Sequence, residues 1–201
     1  GAMRDVRILM PAGDYIANGG SHCIRTDEPP PEGARDALPA DMDEATQRDY
    51  SSFVNYYIHQ VNLMRYLLGE DYQVSYADPS GVLLAVQSAS GIAGTIEMSP
   101  YRTSIDWQEE ALIAFERGYV KLELPAPLAR NRPGTVTLLR DPGEGKVPET
   151  VVPQLPWIHA MRQQALHFVR AVRGEAVPLS ETAEGLKDLQ VARDYIRMLR
   201  Q

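Results

Sequence analysis

The stretch DYSSFVNYYIHQVNLMRYLLG, residues 49–69, is the one around which the rest of the chain is organised. It contains no proline and no internal glycine, and it closes on Gly69, the residue type that most often follows a helix end. Ser51 and Ser52 are candidate caps for its start. Apolar side chains surround most of the helical wheel, which is typical of a buried helix. The stretch therefore predicts a long buried helix.

One narrow stripe of this helix is polar. Asn55, His59, Asn62 and Tyr66 follow one another at spacings of four, three and four residues, so they share one face. If this stripe is buried it must find partners, because each unpaired buried polar group costs about 1–3 kcal/mol. The partners are either other protein groups or a ligand with several hydroxyls. Histidine is a residue type that often acts as an acid or base in catalysis, so the stripe that contains His59 is the candidate site. The alternative is a buried histidine hydrogen-bonded to neighbouring backbone.

Apolar and polar residues alternate after this helix with period two, which predicts strands. Expected strands cover residues 72–77, 82–89, 92–99 (stopped by Pro100), 107–117, 119–124 and 135–140, with an edge strand in 150–155 and a first strand at 5–10. Two helices close the chain. The sequence thus predicts an α+β fold: a mostly antiparallel open β-sheet of about six strands with helices packed on one face.

The two closing helices have their own start signals. The first is expected to begin at Pro156, because proline suits the first helical turn, and to end at Gly174. Ser180 is the expected cap of the second. The first helix is predicted to direct these apolar residues towards the core: Trp157, Met161, Leu166, Phe168 and Val172.

The chain divides into three parts. Residues 1–3 resemble a tag remnant, residues 4–48 hold the first strand and a long irregular arm rich in proline, glycine and acidic residues, and residues 49–201 form the α+β domain. A loop this long is usually functional or disordered. It is therefore either a mobile surface arm or a loop that closes over a site or a partner subunit. Strands 82–89 and 92–98 carry few charges, which predicts that the second sheet face packs against another subunit.

Composition excludes several classes of protein. The 201 residues carry a net charge of −7 and no basic run, which argues against nucleic-acid binding. No apolar run is long enough to span a membrane and no secretory signal opens the chain, so no membrane partner is expected. Cys23 is the only cysteine, which favours a reducing cytoplasm. His22 and Cys23 are too few ligands for a metal site. Nucleotide-loop, zinc-protease and serine-hydrolase motifs are absent from the sequence.

Several segments together resemble one family. The helix end HQVNLMRYLLG (59–69), the strand SGIAGTIEMS (90–99), the strand GYVKLE (118–123) and the two closing helices follow in the order seen in Gfo/Idh/MocA oxidoreductases. The resemblance covers residues from about 49 to 199. It implies the C-terminal substrate-binding and oligomerisation domain of a longer enzyme that acts on a CH–OH group of a sugar, polyol or related compound.

The resemblance also implies roles for single residues. The family's catalytic histidine falls on His59, and its two aspartates fall on Asn55 and Asn62, which would orient the substrate without supplying charge. Tyr15 and Asn18 of the arm are expected to help close the site. NAD or NADP and a catalytic lysine would come from a missing N-terminal Rossmann domain, so this chain alone is expected to bind no cofactor and to be inactive. The alternative is a non-catalytic ligand-binding or assembly module, which the two asparagines favour.

Overall fold

The structure is a computed structural model that describes residues 1–17, 26–29, 31–33, 39, 41–130 and 132–201. Eight strands and three helices occur among these residues. The strands are β1 (Met3–Ala12), β2 (Tyr72–Ala77), β3 (Leu83–Ser88), β4 (Ala93–Arg102), β5 (Glu109–Phe115), β6 (Gly118–Leu124), β7 (Thr135–Arg140) and β8 (Glu149–Val151). The helices are α1 (Glu44–Leu68), α2 (Ala160–Val172) and α3 (Thr182–Leu199). Met3, expected in a tag remnant, is the first residue of β1.

All eight strands form one sheet in the order β2-β3-β4-β1-β5-β6-β7-β8. The α+β class and the mostly antiparallel pairing are as predicted, whereas the estimate of about six strands was too low. β1 lies in the middle, parallel to β4 and antiparallel to β5. The chain can place β1 beside β4 because α1 intervenes in sequence, and a parallel pair needs such a long crossover. Sequence order alone did not indicate this insertion.

Helix α1 begins ahead of the predicted start. Asp43 is its N-cap, with a side-chain oxygen that accepts a hydrogen bond from the Thr46 N–H at 2.7 Å, so the domain boundary at residue 49 falls inside the helix. Ser51 and Ser52 are exposed residues within the helix and not caps. The predicted end is confirmed, since Gly69 adopts the left-handed conformation (φ 71°) and its N–H bonds to the Arg65 carbonyl.

The core lies between α1, α3 and one face of the sheet. Buried side chains from β1 and β4, such as Ile8 and Ile96, meet Met64 of α1 and Tyr195 of α3. Helix and strand come so close that a Cβ built on Gly94 would lie 2.8 Å from the Met64 sulfur. Only one side of α1 is buried, so the prediction of a helix buried almost all round was wrong.

Pro100 does not stop the fourth strand. The register between β1 and β4 shifts between Met10 and Ala12, and Ser99 has a positive φ of 48°. The pairing is therefore bulged here, and β4 continues to Arg102. A proline is tolerated at a bulge because no ladder hydrogen bond is required from its nitrogen. An edge strand was predicted within residues 150–155. The structure has β8 there, a short exposed strand that ends at Val151.

Helix α2 does not pack on the core, contrary to the prediction that all helices cover one sheet face. None of its residues is buried, and Phe168 and Val172 are 68% and 72% exposed. The helix starts after His159 and not at Pro156, while α3 is capped by Glu181 and not by Ser180. Apolar periodicity identifies the apolar face of a helix but does not indicate which part of the protein packs against that face.

The arm predicted between the first strand and α1 lies partly outside the described residues, as do Asn18, His22 and Cys23. The described residues 13–17, 26–29, 31–33, 39 and 41–43 contain no helix or strand. Asp41, next to α1, accepts hydrogen bonds from Arg193 and Arg197 of α3. The Arg193 hydrogen bond is the main reason that the pKa of Asp41 lies below its ordinary value.

Candidate functional site

A cleft of about 810 Å³ opens beside the exposed side of α1. Residues from five parts of the chain line it: the end of β1 and the residues after it, the middle of α1, the residues at the start of β5, the end of β6 with the loop that follows, and the start of α2. The apolar wall includes Met10, Tyr15, Tyr56, Trp107, Leu124, Pro125, Ala126, Pro127, Leu128, Ala129, Ala160 and Met161. The polar lining consists of Asn55, His59, Gln60, Glu109, Arg132 and Gln164.

Three predicted site residues meet in this cleft. Asn55 and His59 lie one helical turn apart on α1, and Tyr15 comes from the segment that follows β1. The helix presents Asn55, His59 and Tyr66 to solvent, so the stripe is exposed and not buried. The alternative interpretation of His59 as a buried core histidine is therefore wrong as well. An exposed imidazole in a cleft is free of the packing that would fix it as a structural group.

Asn62, a further predicted site residue of α1, does not line this cleft. Its amide donates to Asp188 Oδ2 at 2.8 Å and to Ser180 Oγ at 3.3 Å. Both partners lie on or next to α3, which packs against this side of α1. Helical spacing placed Asn62 and His59 on one broad face, but α3 covers part of that face and leaves the rest open.

The partner of Asn62 belongs to a buried ion-pair network. Arg65 donates to Asp188 Oδ1 through Nε at 3.0 Å and Nη2 at 2.8 Å, and to Asp71 Oδ1 through Nη1 at 2.7 Å. Burial opposes the charge of Arg65, but its hydrogen bonds to Asp188 and Asp71 and the charge of Asp188 outweigh burial and raise the pKa of Arg65. Lys187 and Arg65 in turn lower the pKa of Asp71. This network joins α1 to α3 and is structural.

Sequence reasoning missed the pair formed by Gln60 and Glu109. Gln60 is only 3% exposed, and its Nε2 donates to Glu109 Oε1 at 2.7 Å. Both residues line the cleft, although they are 49 positions apart in sequence. One signal was available: Gln60 directly follows His59 and interrupts the apolar side of the helix.

Two polar atoms at the cleft have no partner among the described residues. Gln60 Oε1 and Trp107 Nε1 are shielded from solvent and make no hydrogen bond there. Most buried polar groups in folded proteins are paired, so each such atom requires an explanation. Trp107 and Glu109 are two residues apart, and both lie in the strand predicted over residues 107–117.

A smaller cavity of about 450 Å³ adjoins the cleft and shares six lining residues with it, among them Trp107, Glu109 and Arg132. Its further lining includes Asp14, Asp106, Glu110 and Glu123. Lys121 bridges Glu110 at 3.3 Å and Glu123 at 3.1 Å, and the Glu123 contact is the main reason that its pKa is raised. Carboxylates outnumber cationic side chains around this cavity, so the electrostatic potential inside it is negative.

No cluster of three potential metal ligands occurs within the described ranges. His159 is the N-cap residue of α2, next to Ala160 of the cleft, and His167 on α2 bonds through Nε2 to the Val177 carbonyl at 3.1 Å. None of the helices that the structure describes is long and apolar enough to cross a membrane.

No protein-family profile matches the chain, and no curated protein matches it in sequence. The fold matches the UDP-N-acetylglucosamine 3-dehydrogenase GnnA of Acidithiobacillus ferrooxidans with a TM-score of 0.58 at 13% identity, over 100% of this chain and 57% of that chain. The fold also matches KijD10, a 3-ketoreductase from Actinomadura kijaniata solved with NADP. The TM-score is 0.56 at 12% identity, over 96% of this chain and 50% of that chain.

A protein from Desulfitobacterium hafniense, provisionally described as an NADPH-dependent oxidoreductase, gives a TM-score of 0.66 at 8% identity over 100% of this chain and 55% of that chain. The chain thus spans about half the length of these solved chains. At such low identity the likeness concerns the fold. The chain thus shares its fold with parts of solved oxidoreductases, as the resemblance to the Gfo/Idh/MocA family led us to expect.

Proposed function

We propose that this chain is the substrate-binding and oligomerisation domain of an NAD(P)-dependent oxidoreductase that acts on a CH–OH group of a sugar, polyol or related compound. The observation that carries the proposal is the meeting of His59, Asn55 and Tyr15 in one cleft of a fold shared with such oxidoreductases. An N-terminal Rossmann domain outside this chain would hold the nicotinamide cofactor. The cleft residues of this chain would hold the alcohol or ketone.

His59 is the catalytic residue of this proposal. Its imidazole is exposed to the cleft, where it can bind the reacting hydroxyl and move its proton. Asn55 lies one turn earlier and can both donate and accept hydrogen bonds, so it can orient a hydroxyl but not stabilise an imidazolium by charge. Tyr15 contributes an aromatic wall. Hydride itself would pass between the substrate carbon and the cofactor of the missing domain.

The assembly part of the proposal rests on the sheet face that α1 and α3 leave uncovered. Strand alternation places Leu9, Leu112 and Leu139 on this face, and all three are only half-buried. A partner subunit would cover these leucines. Light scattering should find a dimer or tetramer at micromolar concentration, and Leu112→Glu should dissociate it. A monodisperse monomer of the unaltered chain would contradict the assembly role.

The catalytic role is tested in the longer protein that contains this chain. His59→Ala should lower kcat for NAD(P)-dependent oxidation by about 10²–10⁴-fold, the usual contribution of a positioned acid or base. His167→Ala is the matched control, since its imidazole bonds to the Val177 carbonyl outside the cleft, and its activity should be unchanged. Unchanged turnover in His59→Ala would refute the role. The 201-residue chain alone should show no turnover.

A non-catalytic binding module remains the second candidate. It is favoured by Asn55, which stands where the resemblance implies an aspartate, and by the structural use of Asn62 in the α3 contact. Upstream sequence discriminates the two: a Rossmann fingerprint favours the oxidoreductase, and an unrelated domain favours the module. Because His59 is exposed, His59→Leu should leave the melting temperature nearly unchanged under either function.

A further inference from the structure

The cleft holds a polar pair that the proposed catalytic residues do not use. Gln60 is 3% exposed, and its amide N–H donates to Glu109. The carbonyl oxygen of Gln60 has no hydrogen-bond partner among the described residues. Trp107, on the same wall, holds an indole N–H that is likewise unpaired there. The Gln60 carbonyl oxygen can accept a hydrogen bond, and the Trp107 indole N–H can donate one.

A hydroxyl group satisfies both needs, because it donates one hydrogen bond and accepts two. An apolar ligand would leave both protein groups unpaired. A phosphate dianion carries no hydrogen to donate to Gln60 Oε1, and it would approach the Glu109 carboxylate and the acidic cavity that adjoins it. The terminal torsion of a glutamine is broad, so the Gln60 amide can turn its carbonyl oxygen, which is shielded from solvent, towards a bound hydroxyl. The lining thus favours a neutral compound with several hydroxyls.

We propose that Gln60, Glu109 and Trp107 are the substrate-selecting residues of the cleft, and that they bind neighbouring hydroxyls of a neutral cyclic polyol or sugar. Gln60 accepts from one hydroxyl, Trp107 donates to another, and the second oxygen of Glu109 receives a further hydroxyl hydrogen. The aromatic faces of Tyr15 and Tyr56 line the same cleft and suit the apolar CH face of such a ring. This assignment rests on the proposed function and narrows its substrate class.

Binding is measured on the 201-residue chain by ¹H–¹⁵N NMR titration with myo-inositol, glucose and N-acetylglucosamine, with glucose 6-phosphate as the anionic comparison. The chain has two tryptophans, so Trp157→Phe assigns the indole signal of Trp107. A neutral polyol should shift this signal and slow its hydrogen exchange. Glucose 6-phosphate should bind at least tenfold more weakly than glucose.

Gln60→Met keeps the length of the side chain and removes its polar atoms, and it should raise the Kd at least tenfold. Gln47→Met, on the same helix but outside the cleft, is the matched control and should bind as the unaltered chain does. Glu109→Gln is the second variant, because its amide oxygen still accepts the Gln60 hydrogen bond. It should raise the Kd about tenfold through loss of charge alone, even if Gln60→Met does not fold.

The outcomes separate this assignment from the proposed function. If a polyol binds and both Gln60→Met and Glu109→Gln keep its Kd, the assignment is overturned while the substrate class stands. A polyol that binds without moving the Trp107 indole signal also overturns it. If no polyol or sugar binds the unaltered chain, the assignment and the substrate class fall together.

Discussion

Asp188→Leu is expected to be among the most destabilising single substitutions in this chain. Asp188 is 2% exposed and receives hydrogen bonds from Arg65 Nε and Nη2 and from Asn62. Its removal leaves the Arg65 guanidinium, itself 7% exposed, with Asp71 as its remaining acidic partner among the described residues. The substitution therefore places a partly uncompensated charge between α1 and α3.

The expected cost follows from the burial of the pair. Breaking a buried ion pair by removing one partner costs about 3–5 kcal/mol, since the other charge remains buried. Such a loss is a large share of the ~5–15 kcal/mol by which folded domains are stable. Arg65→Met together with Asp188→Leu removes both charges. This double variant should recover more than half of the loss, because the remaining partner Asp71 is 55% exposed and can be solvated.

Urea denaturation followed by circular dichroism measures the effect. With a slope of about 2 kcal/mol per molar urea, a loss of 4 kcal/mol lowers the midpoint by about 2 M. Asp194→Leu is the matched control on α3, because Asp194 is 62% exposed and pairs only loosely with Arg197 at 4.0 Å. It should change the free energy of unfolding by less than about 0.5 kcal/mol.

Two results would refute this reasoning. A loss below about 1 kcal/mol for Asp188→Leu would show that the Arg65 charge finds solvent or another partner without cost. A double variant that is no more stable than Asp188→Leu would show that the loss comes from packing and not from the isolated charge. The double-mutant cycle separates these contributions because it isolates the pairwise term.

Three further predictions follow from single positions. Gly94→Ala should destabilise by about 1–3 kcal/mol through a clash with Met64, whereas Gly185→Ala, in open space on α3, should stabilise by about 0.5–1 kcal/mol, both measured by urea denaturation. Hydrogen bonds from Lys187 and Arg65 lower the pKa of Asp71 from its ordinary 3.8. The contribution of Asp71 to the free energy of unfolding is therefore present above pH 3.8 and lost as the pH falls through the lowered pKa. Asp71→Asn should flatten the acid side of a curve of stability against pH, and an unchanged acid side would contradict this reasoning. Phe168→Ser should alter the melting temperature of this chain little, because Phe168 is 68% exposed, and a large drop would place α2 in the core after all.

Sequence reasoning succeeded where local signals decide the structure. The end of α1 at Gly69 depends on a left-handed conformation that glycine adopts without strain, and strand β2 matched its predicted range because alternation and turns mark it. His59, Asn55 and Tyr15 were assigned to one site, and the cleft contains all three. Periodicity also found the apolar face of α2, but not its exposure.

The sequence by itself determined which segments are helices and strands, since propensity, period and caps act within a few residues. Only the tertiary structure decided that β1 lies between β4 and β5, that Asn62 bonds to Asp188 of α3, and that Gln60 meets Glu109. These contacts join residues far apart in the chain. Which of these long-range contacts form depends on which apolar faces pack together. The free energy of burying those faces comes from the packed domain as a whole and cannot be assigned to a single segment.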